Sequence, residues 1–149
     1  MEGTLNAEMT ADDVRVTDRR YGTTGRLVRF KACGFVYSSP LLADDLVSLY
    51  AALDDPDYHE GLEYRSLQME RLLDQVLEGL DSTGGAESLL DVGAGNGLLV
   101  AAAARRGLLA LGVEPSEQSV EWGRAELGVT LHQGVYPHPA LAERRFDLV

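Results

Sequence analysis

The sequence predicts an α/β protein built on a Rossmann-like parallel sheet, incomplete and limited to its first three to four strands. An N-terminal β-hairpin and a helical cap are expected to precede the sheet. Apolar runs at residues 88–92 and 108–113 flank a segment of good helix formers, which is the pattern of a β-α-β unit. Glycines at every second position, from Gly93 to Gly97, follow the first run directly, as in turns where a strand passes into a helix.

Two smaller parts are predicted ahead of the sheet. Residues 27–31 and 34–37 predict a β-hairpin inside a leader at residues 1–40. Helices are expected at 41–53, after a proline, and at about 60–79, where apolar residues recur every three or four positions. The apolar face of this second helix consists of Leu62, Met69, Leu72, Leu73, Val76, Leu77 and Leu80. The two helices form the predicted cap, residues 41–84, and a glycine-containing loop separates it from a sheet domain at residues 85–149.

Composition argues against several classes of function. The 149 residues carry a net charge of −11, and no basic stripe suited to nucleic acid is visible. No apolar run approaches the ~20 residues of a membrane span, and no signal-peptide pattern opens the chain, so the cytoplasm is the expected compartment. The single cysteine permits no internal disulfide. His59, His132 and His138 are too scattered for a metal site and are interpreted as incidental, so no metal is expected.

The turn between the first strand and its helix predicts a cofactor site. Gly93 permits a sharp turn with positive φ, and Gly95 and Gly97 let a ligand approach bare backbone. Free amides at the start of the helix expected at 98–106 face the same place. Glu114 ends the next strand about 20 residues after the first glycine, where a ribose-binding acid belongs in such a unit.

Two cofactors compete for this unit. The dinucleotide fingerprint G-x-G-x-x-G requires its third glycine at position 98, where this chain has Leu98. Asp91, two residues before the loop, repels a pyrophosphate and complements a ligand that carries an ammonium and a sulfonium. S-adenosylmethionine therefore fits better than NAD, and an NAD-dependent oxidoreductase is the weaker alternative.

Residues 91–97, Asp-Val-Gly-Ala-Gly-Asn-Gly, resemble motif I of the class I S-adenosylmethionine-dependent methyltransferases, and residues 112–116 resemble the segment that follows it. The likeness extends along residues 118–127 as the second helix, 129–134 as the third strand and 146–149 as the start of the fourth. The resemblance implies methyl transfer from S-adenosylmethionine to a small-molecule acceptor. A non-catalytic cofactor-binding or scaffold module of the same fold is the alternative.

The resemblance also implies which residues hold the cofactor. The loop glycines line its methionine part, Asp91 reaches its amino end, and Glu114 holds the ribose hydroxyls. Val135 or Tyr136 stands where many relatives carry an acid near the adenine. Arg65 either pairs with the cofactor's carboxylate or is a surface arginine. The expected cofactor-binding residues are Asp91, Gly93, Ala94, Gly95, Gly97, Glu114, Pro115, Val135, Arg65 and Tyr58; no catalytic residue and no oligomeric state are predicted.

Residues 16–40 resemble the leader of methyltransferases that begin with a small zinc ribbon, although Phe30 stands where the C-x-x-C-G knuckle requires a cysteine. One thiol cannot bind a structural zinc, so Cys33 is expected to pack as a small apolar side chain. The sequence ends partway into a predicted strand, which indicates a fragment of a longer enzyme. One side of residues 89–92 is then expected to be poorly covered, and the chain alone to be unstable and without turnover.

Overall fold

The computed structural model describes residues 27–38, 51, 61–80 and 85–149. The chain divides into two compact units, Met1–Tyr58 and His59–Val149. The helix predicted at 41–53 lies outside the described residues apart from Ala51, which is helical, and Tyr58 also lies outside them. None of the helices in the described ranges is long and apolar enough to cross a membrane.

A β-hairpin forms the described part of the first unit. β1 (Leu27–Arg29) pairs antiparallel with β2 (Val36–Ser38), which confirms the predicted hairpin. The turn is closed by backbone hydrogen bonds of 2.8 Å from the Phe30 amide to the Phe35 carbonyl and from the Gly34 amide to the Phe30 carbonyl. Cys33 lies in this turn and is exposed, so the prediction that it packs as a small apolar side chain is wrong.

The second unit contains the predicted parallel sheet. Its strands β3 (Ser88–Val92), β4 (Leu109–Glu114) and β5 (Leu131–Gln133) lie in the order β3-β4-β5. Leu148 forms a parallel bridge with Leu89 on the other edge of β3. This arrangement places β3 between β4 and the start of a fourth strand and confirms the incomplete Rossmann-like fold. The sequence predicts that one side of residues 89–92 is poorly covered. Leu89 is buried and Val92 is exposed, so this prediction holds only at the end of β3.

One helix precedes the sheet, and further helices connect its parallel strands, as β-α-β units require. α1 (Leu62–Leu80) precedes the sheet, and α2 (Leu98–Arg105) connects β3 with β4. α3 (Glu117–Trp122) runs into a π-helical turn, Gly123–Leu127. The single helix predicted at 118–127 is therefore divided. At Gly123 a Cβ atom would lie 2.5 Å from the Asn96 carbonyl oxygen, so the helix approaches the loop before α2 as closely as only glycine permits.

α1 packs along α2 through a narrower face than the sequence predicts. Leu73 is buried against Ala102 and Ala103 of α2, in the same core cluster as Leu89. Leu72 and Val76, predicted on the apolar face, are 46% and 37% exposed. The small alanine surface of α2 lets α1 approach closely, so only the stripe centred on Leu73 is covered.

Two charged pairs lie along one side of this helix contact, because Glu70 and Asp74 are about one helical turn apart on α1. The Arg105 guanidinium lies 2.7 Å from the Glu70 carboxylate, and the Arg106 guanidinium lies 2.6 Å from that of Asp74. Arg106 also donates to the carbonyl oxygens of Ala102 and Glu70, which extends its contact to both helices. The opposite face of the sheet buries Leu90, Leu111, Val113 and Leu141, with Phe146 packed against them.

Asp147 ties the fourth-strand segment to the start of β3. Its carboxylate accepts hydrogen bonds of 2.9 Å from the backbone amides of Glu87 and Ser88 and one of 2.8 Å from the Ser88 hydroxyl. The Ser88 hydroxyl, followed by the Glu87 amide, lowers the pKa of Asp147 below its ordinary value of 3.8. A lowered pKa means that this carboxylate stabilises the fold above pH 3.8 and that the stabilisation is lost as the pH falls further.

We expect Asp147→Ala to lower the melting temperature at pH 7, because three donors lose their acceptor. The difference from the wild-type chain should shrink as the pH is brought below 3.8. Thermal denaturation across pH 3–7 measures both effects, with Glu143→Ala, an exposed change of the same charge, as the control. Equal melting of the two variants at pH 7 would show that the Asp147 carboxylate does not hold this segment.

Candidate functional site

The carboxyl ends of the three strands meet at one edge of the sheet, where ligands of open α/β sheets bind. Asp91 lies near the end of β3, and Glu114 is the last residue of β4. The segment after β5 joins them, because the Gly134 amide donates a 2.9 Å hydrogen bond to the Glu114 carbonyl oxygen. The loop from Gly93 to Gly97 connects this edge to α2, and its first amide donates to the Val113 carbonyl oxygen at 2.9 Å.

Two glycines of this loop are required for different reasons. Both Gly93 and Gly97 have positive φ, at 81° and 82°. A Cβ atom on Gly93 would meet nothing within 4 Å, so its bare side opens away from the protein. A Cβ atom on Gly97 would lie 2.8 Å from Cγ2 of Val129 and 3.3 Å from Leu131, so packing against the β5 side fixes this position as glycine. Gly93 therefore leaves room for a ligand, and Gly97 leaves room for the core.

The Glu114 side chain connects the glycine loop before α2 to the start of α3. One of its carboxylate oxygens accepts a 2.8 Å hydrogen bond from the Gly95 amide, and the other accepts a 2.9 Å bond from the Ser116 amide. Ser116 in turn caps α3, since its hydroxyl accepts a 3.2 Å bond from the Ser119 amide. The carboxylate is buried, yet each oxygen can accept one further bond. It is a fixed pair of acceptors with capacity left for hydroxyl donors.

Asp91 is the second carboxylate of the site. Burial raises its pKa above the ordinary value of 3.8, and the neighbouring negative charge of Glu114 raises it further. The stretch from Ser88 to Ala104, which includes the glycine loop, contains neither lysine nor arginine. The two carboxylates give this edge of the sheet a negative potential that favours a cationic ligand.

We expect Asp91→Asn to stabilise the ligand-free protein by about 0.5–2 kcal/mol at pH 7, because it removes a charge that burial and Glu114 make unfavourable. A raised pKa means that the carboxyl group is most compatible with the fold below pH 3.8 and becomes costly as the pH rises through its folded pKa. The gain should therefore disappear towards pH 3.8. Chemical denaturation at pH 4 and pH 7 tests this, and a variant less stable than wild type at pH 7 would contradict it.

Asn96 lies within the glycine loop of the candidate site, and the sequence alone does not single it out. Its side chain is 2% exposed, and its Nδ2 atom has no hydrogen-bond partner among the described residues. A buried amide without a partner is unusual and costs free energy. Its position between two loop glycines is visible in the sequence, but its burial depends on how closely Gly123, at the end of α3, approaches the loop.

The structure brings together most of the predicted site residues. Asp91, Gly93, Gly95 and Glu114 surround one loop. Ala94 is buried in the core with Val100 and Leu131, so only its backbone is available to a ligand. The remaining predicted residues lie as follows: Gly97 at the start of α2, Pro115 half-buried between Glu114 and Ser116, Val135 after β5, and Arg65 half-buried in the first turn of α1. Ligand contact stays a prediction for all of the expected cofactor-binding residues, Arg65, Val135 and Tyr58 included.

A parallel sheet with a glycine turn after its first strand and an acid at the end of its second defines a Rossmann-like domain that binds a nucleotide-type cofactor. Residues 90–149 match the family model described as "Methyltransferase domain". The match supports a class I methyltransferase domain in this part of the chain, and members of the matched family use S-adenosylmethionine. A comparison with curated proteins gave no significant match. Among the residues that the structure describes, no group of three or more potential ligands is placed to hold a metal ion.

Proposed function

We propose that this protein transfers a methyl group from S-adenosylmethionine to a small-molecule acceptor, with the cofactor at the carboxyl edge of β3 and β4. The observation that carries the proposal is the pair of partly or fully buried carboxylates, Asp91 and Glu114, beside a glycine loop whose own stretch has no basic residue. This edge matches a ligand with positive charge and hydroxyl groups. The same two carboxylates would repel a ligand that carries a pyrophosphate.

The donors and acceptors of the site fit this cofactor group by group. Glu114 has acceptor capacity left for two ribose hydroxyls after binding the Gly95 and Ser116 amides. Asp91 supplies the negative charge that an ammonium group requires. The open side of Gly93 gives the ligand access to the backbone. Pyrophosphate would face both carboxylates, which is why NAD fits poorly.

When bound, S-adenosylmethionine supplies a methyl group activated by its positively charged sulfur. The residues of this chain act by holding and orienting the reactants. Glu114 fixes the loop at Gly95 and binds the ribose side, and Asp91 fixes the amino end and complements the positive charge. Alignment of donor and acceptor can account for much of the rate of such a transfer, so a dedicated base is not required.

The acidic character of the chain supports a small acceptor rather than nucleic acid. With a net charge of −11, the protein as a whole repels the phosphate backbone of a nucleic acid, and salt weakens this repulsion beyond the Debye length. A non-catalytic cofactor-binding module of the same fold remains the alternative function. Both a methyltransferase and a non-catalytic module would bind the cofactor, but only the methyltransferase would transfer the methyl group.

Methyl transfer can be followed with S-adenosylmethionine that carries a labelled methyl group. The gene's full-length product is incubated with a cell extract, which is then separated into small-molecule, protein and nucleic-acid fractions. We expect label in the small-molecule fraction, and none when the chain carries Glu114→Ala. Label confined to protein or nucleic acid would contradict the proposed acceptor class. Cofactor binding without transfer to any fraction would favour the non-catalytic module.

A further inference from the structure

His138 ties the segment after β5 back onto the sheet. Its Nδ1 atom accepts a 3.2 Å hydrogen bond from the Ala140 amide, at the start of the 3₁₀ turn Pro139–Leu141. Its Nε2 atom lies 3.2 Å from the Gln133 carbonyl oxygen, the last residue of β5. A carbonyl oxygen can only accept and an amide can only donate, so both contacts require a neutral ring with its proton on Nε2. A second proton on the ring would remove the acceptor of the Ala140 amide.

His132 packs against this ring from β5. The two ring centroids are 5.3 Å apart with an angle of 27° between the planes. Arg124 lies beside them, because its guanidinium donates to the neighbouring Leu131 carbonyl oxygen at 2.6 and 3.1 Å. The two histidines that the sequence presents as scattered therefore form a stacked pair next to a cation.

The surroundings of the pair oppose a proton on His132. Burial lowers the pKa of His132 below 6.5; a second proton on His138 would lower it further, as do the positive charges of Arg124 and Arg144. These charges come from the segment after β5, from the π-helical turn and from the segment after the 3₁₀ turn. A lowered pKa means that neutral His132 stabilises the fold above pH 6.5 and that this stabilisation is lost as the pH falls.

The segment held by His138 borders the cofactor site. It starts at Gly134, whose amide is bonded to the Glu114 carbonyl oxygen, and continues with Val135 and Tyr136. These two apolar side chains are 45% and 58% exposed. At Gly134, φ is 138° and a Cβ atom would lie 3.1 Å from Cδ2 of His138, so the ring packs against the bare side of this glycine. His138 thus contacts the segment at the point where it leaves the sheet.

We infer that His138 is a positioning residue: its neutral ring, stacked on His132, holds residues 134–141 beside Glu114 so that Val135 and Tyr136 form the adenine side of the cofactor site. Protonation of the pair releases this segment and weakens cofactor binding. The inference rests on the proposed function for the identity of the ligand. The hydrogen bonds that hold the segment do not depend on any ligand.

The first test needs no cofactor. Side-chain ¹⁵N spectra of the full chain at pH 8 should show His138 as the neutral tautomer with its proton on Nε2. On acidification both histidine rings and the backbone amides of residues 134–141 should change in one coupled transition. A proton on Nδ1 of His138 at pH 8, or titration of the ring without movement of those amides, would overturn the inference. Neither result depends on whether S-adenosylmethionine binds.

The second test measures the affinity for S-adenosylhomocysteine, the demethylated cofactor, between pH 8 and pH 5.5. We expect it to fall by about tenfold or more on acidification, the usual size of coupling between a switch and a site. His138→Asn, whose amide oxygen can still accept from the Ala140 amide, should keep most of the affinity at pH 8 and lose most of this pH dependence. His138→Phe should weaken binding at every pH, because neither hydrogen bond can form.

A control variant distinguishes the pH dependence that His138 causes from that of other titrating groups. His59→Asn should retain the wild-type pH profile, because it removes a histidine that is not part of the stacked pair. An equally steep fall in affinity in His138→Asn would overturn the inference. Failure to bind S-adenosylhomocysteine at any pH would reject the proposed function, and the spectra would still decide the role of His138.

Discussion

Replacing Glu114 with alanine is expected to abolish detectable cofactor binding and to destabilise the domain by about 3 kcal/mol or more. The carboxylate accepts from the Gly95 and Ser116 amides at 2.8 and 2.9 Å, and each hydrogen bond to a charged group contributes about 1.5–3 kcal/mol. Its removal leaves both amides without an acceptor in a buried place. The loop before α2 and the start of α3 then lose their common anchor.

Urea denaturation and calorimetric titration of the same protein measure the two effects of Glu114→Ala. Glu121→Ala on the exposed side of α3 is the matched control, because it removes the same charge without a hydrogen bond to the loop. Glu114→Gln should fall between them, since a neutral amide keeps one acceptor and places a donor against the second backbone amide. Equal stability of Glu114→Ala and Glu121→Ala would contradict the anchoring role.

Alanine at Gly93 and at Gly97 is expected to separate binding from stability. Gly97→Ala should cost about 2–4 kcal/mol, because left-handed backbone strain adds to overpacking against Val129 and Leu131. Gly93→Ala carries the strain without the clash and should cost about 1–2 kcal/mol. Its methyl group occupies the open side of the loop, so we expect cofactor affinity to fall by at least about tenfold, an energy of 1.4 kcal/mol.

Denaturation midpoints and titrations of the two glycine variants check this contrast. A Gly93→Ala protein that binds the cofactor like wild type would show that the ligand does not approach the open side of Gly93. Equal destabilisation by both substitutions would show that backbone strain, and not packing against β5, determines the cost at Gly97.

The β-α-β unit and its cofactor loop could be predicted from the sequence because they depend on neighbours along the chain. A short apolar strand, the glycines after it and the acid that ends the next strand all lie within residues 88–114, and the turn geometry follows from them. The same holds for the hairpin of β1 and β2. The bond between Glu114 and the Gly95 amide refines the expected role of Glu114, which shapes the loop in addition to offering acceptors for ribose.

Features that depend on how elements pack were beyond a single sequence. Apolar periodicity predicts Leu72 on the buried face of α1, but the close approach of α2 at Ala102 and Ala103 covers only the stripe around Leu73. Burial of Asn96 requires Gly123 to bring α3 against the loop. His132 and His138 meet because the chain turns back at Gly134, which residue spacing alone does not reveal.

We propose that the edge formed by Asp91, Gly93 and Glu114 binds S-adenosylmethionine. Calorimetric titration of the chain with S-adenosylmethionine, S-adenosylhomocysteine and NAD at pH 8 decides this. We expect binding of the first two and none of NAD, and a loss of affinity for S-adenosylmethionine in Glu114→Ala that Glu121→Ala does not show. Binding of NAD alone, or binding of S-adenosylmethionine that Glu114→Ala leaves unchanged, would contradict it.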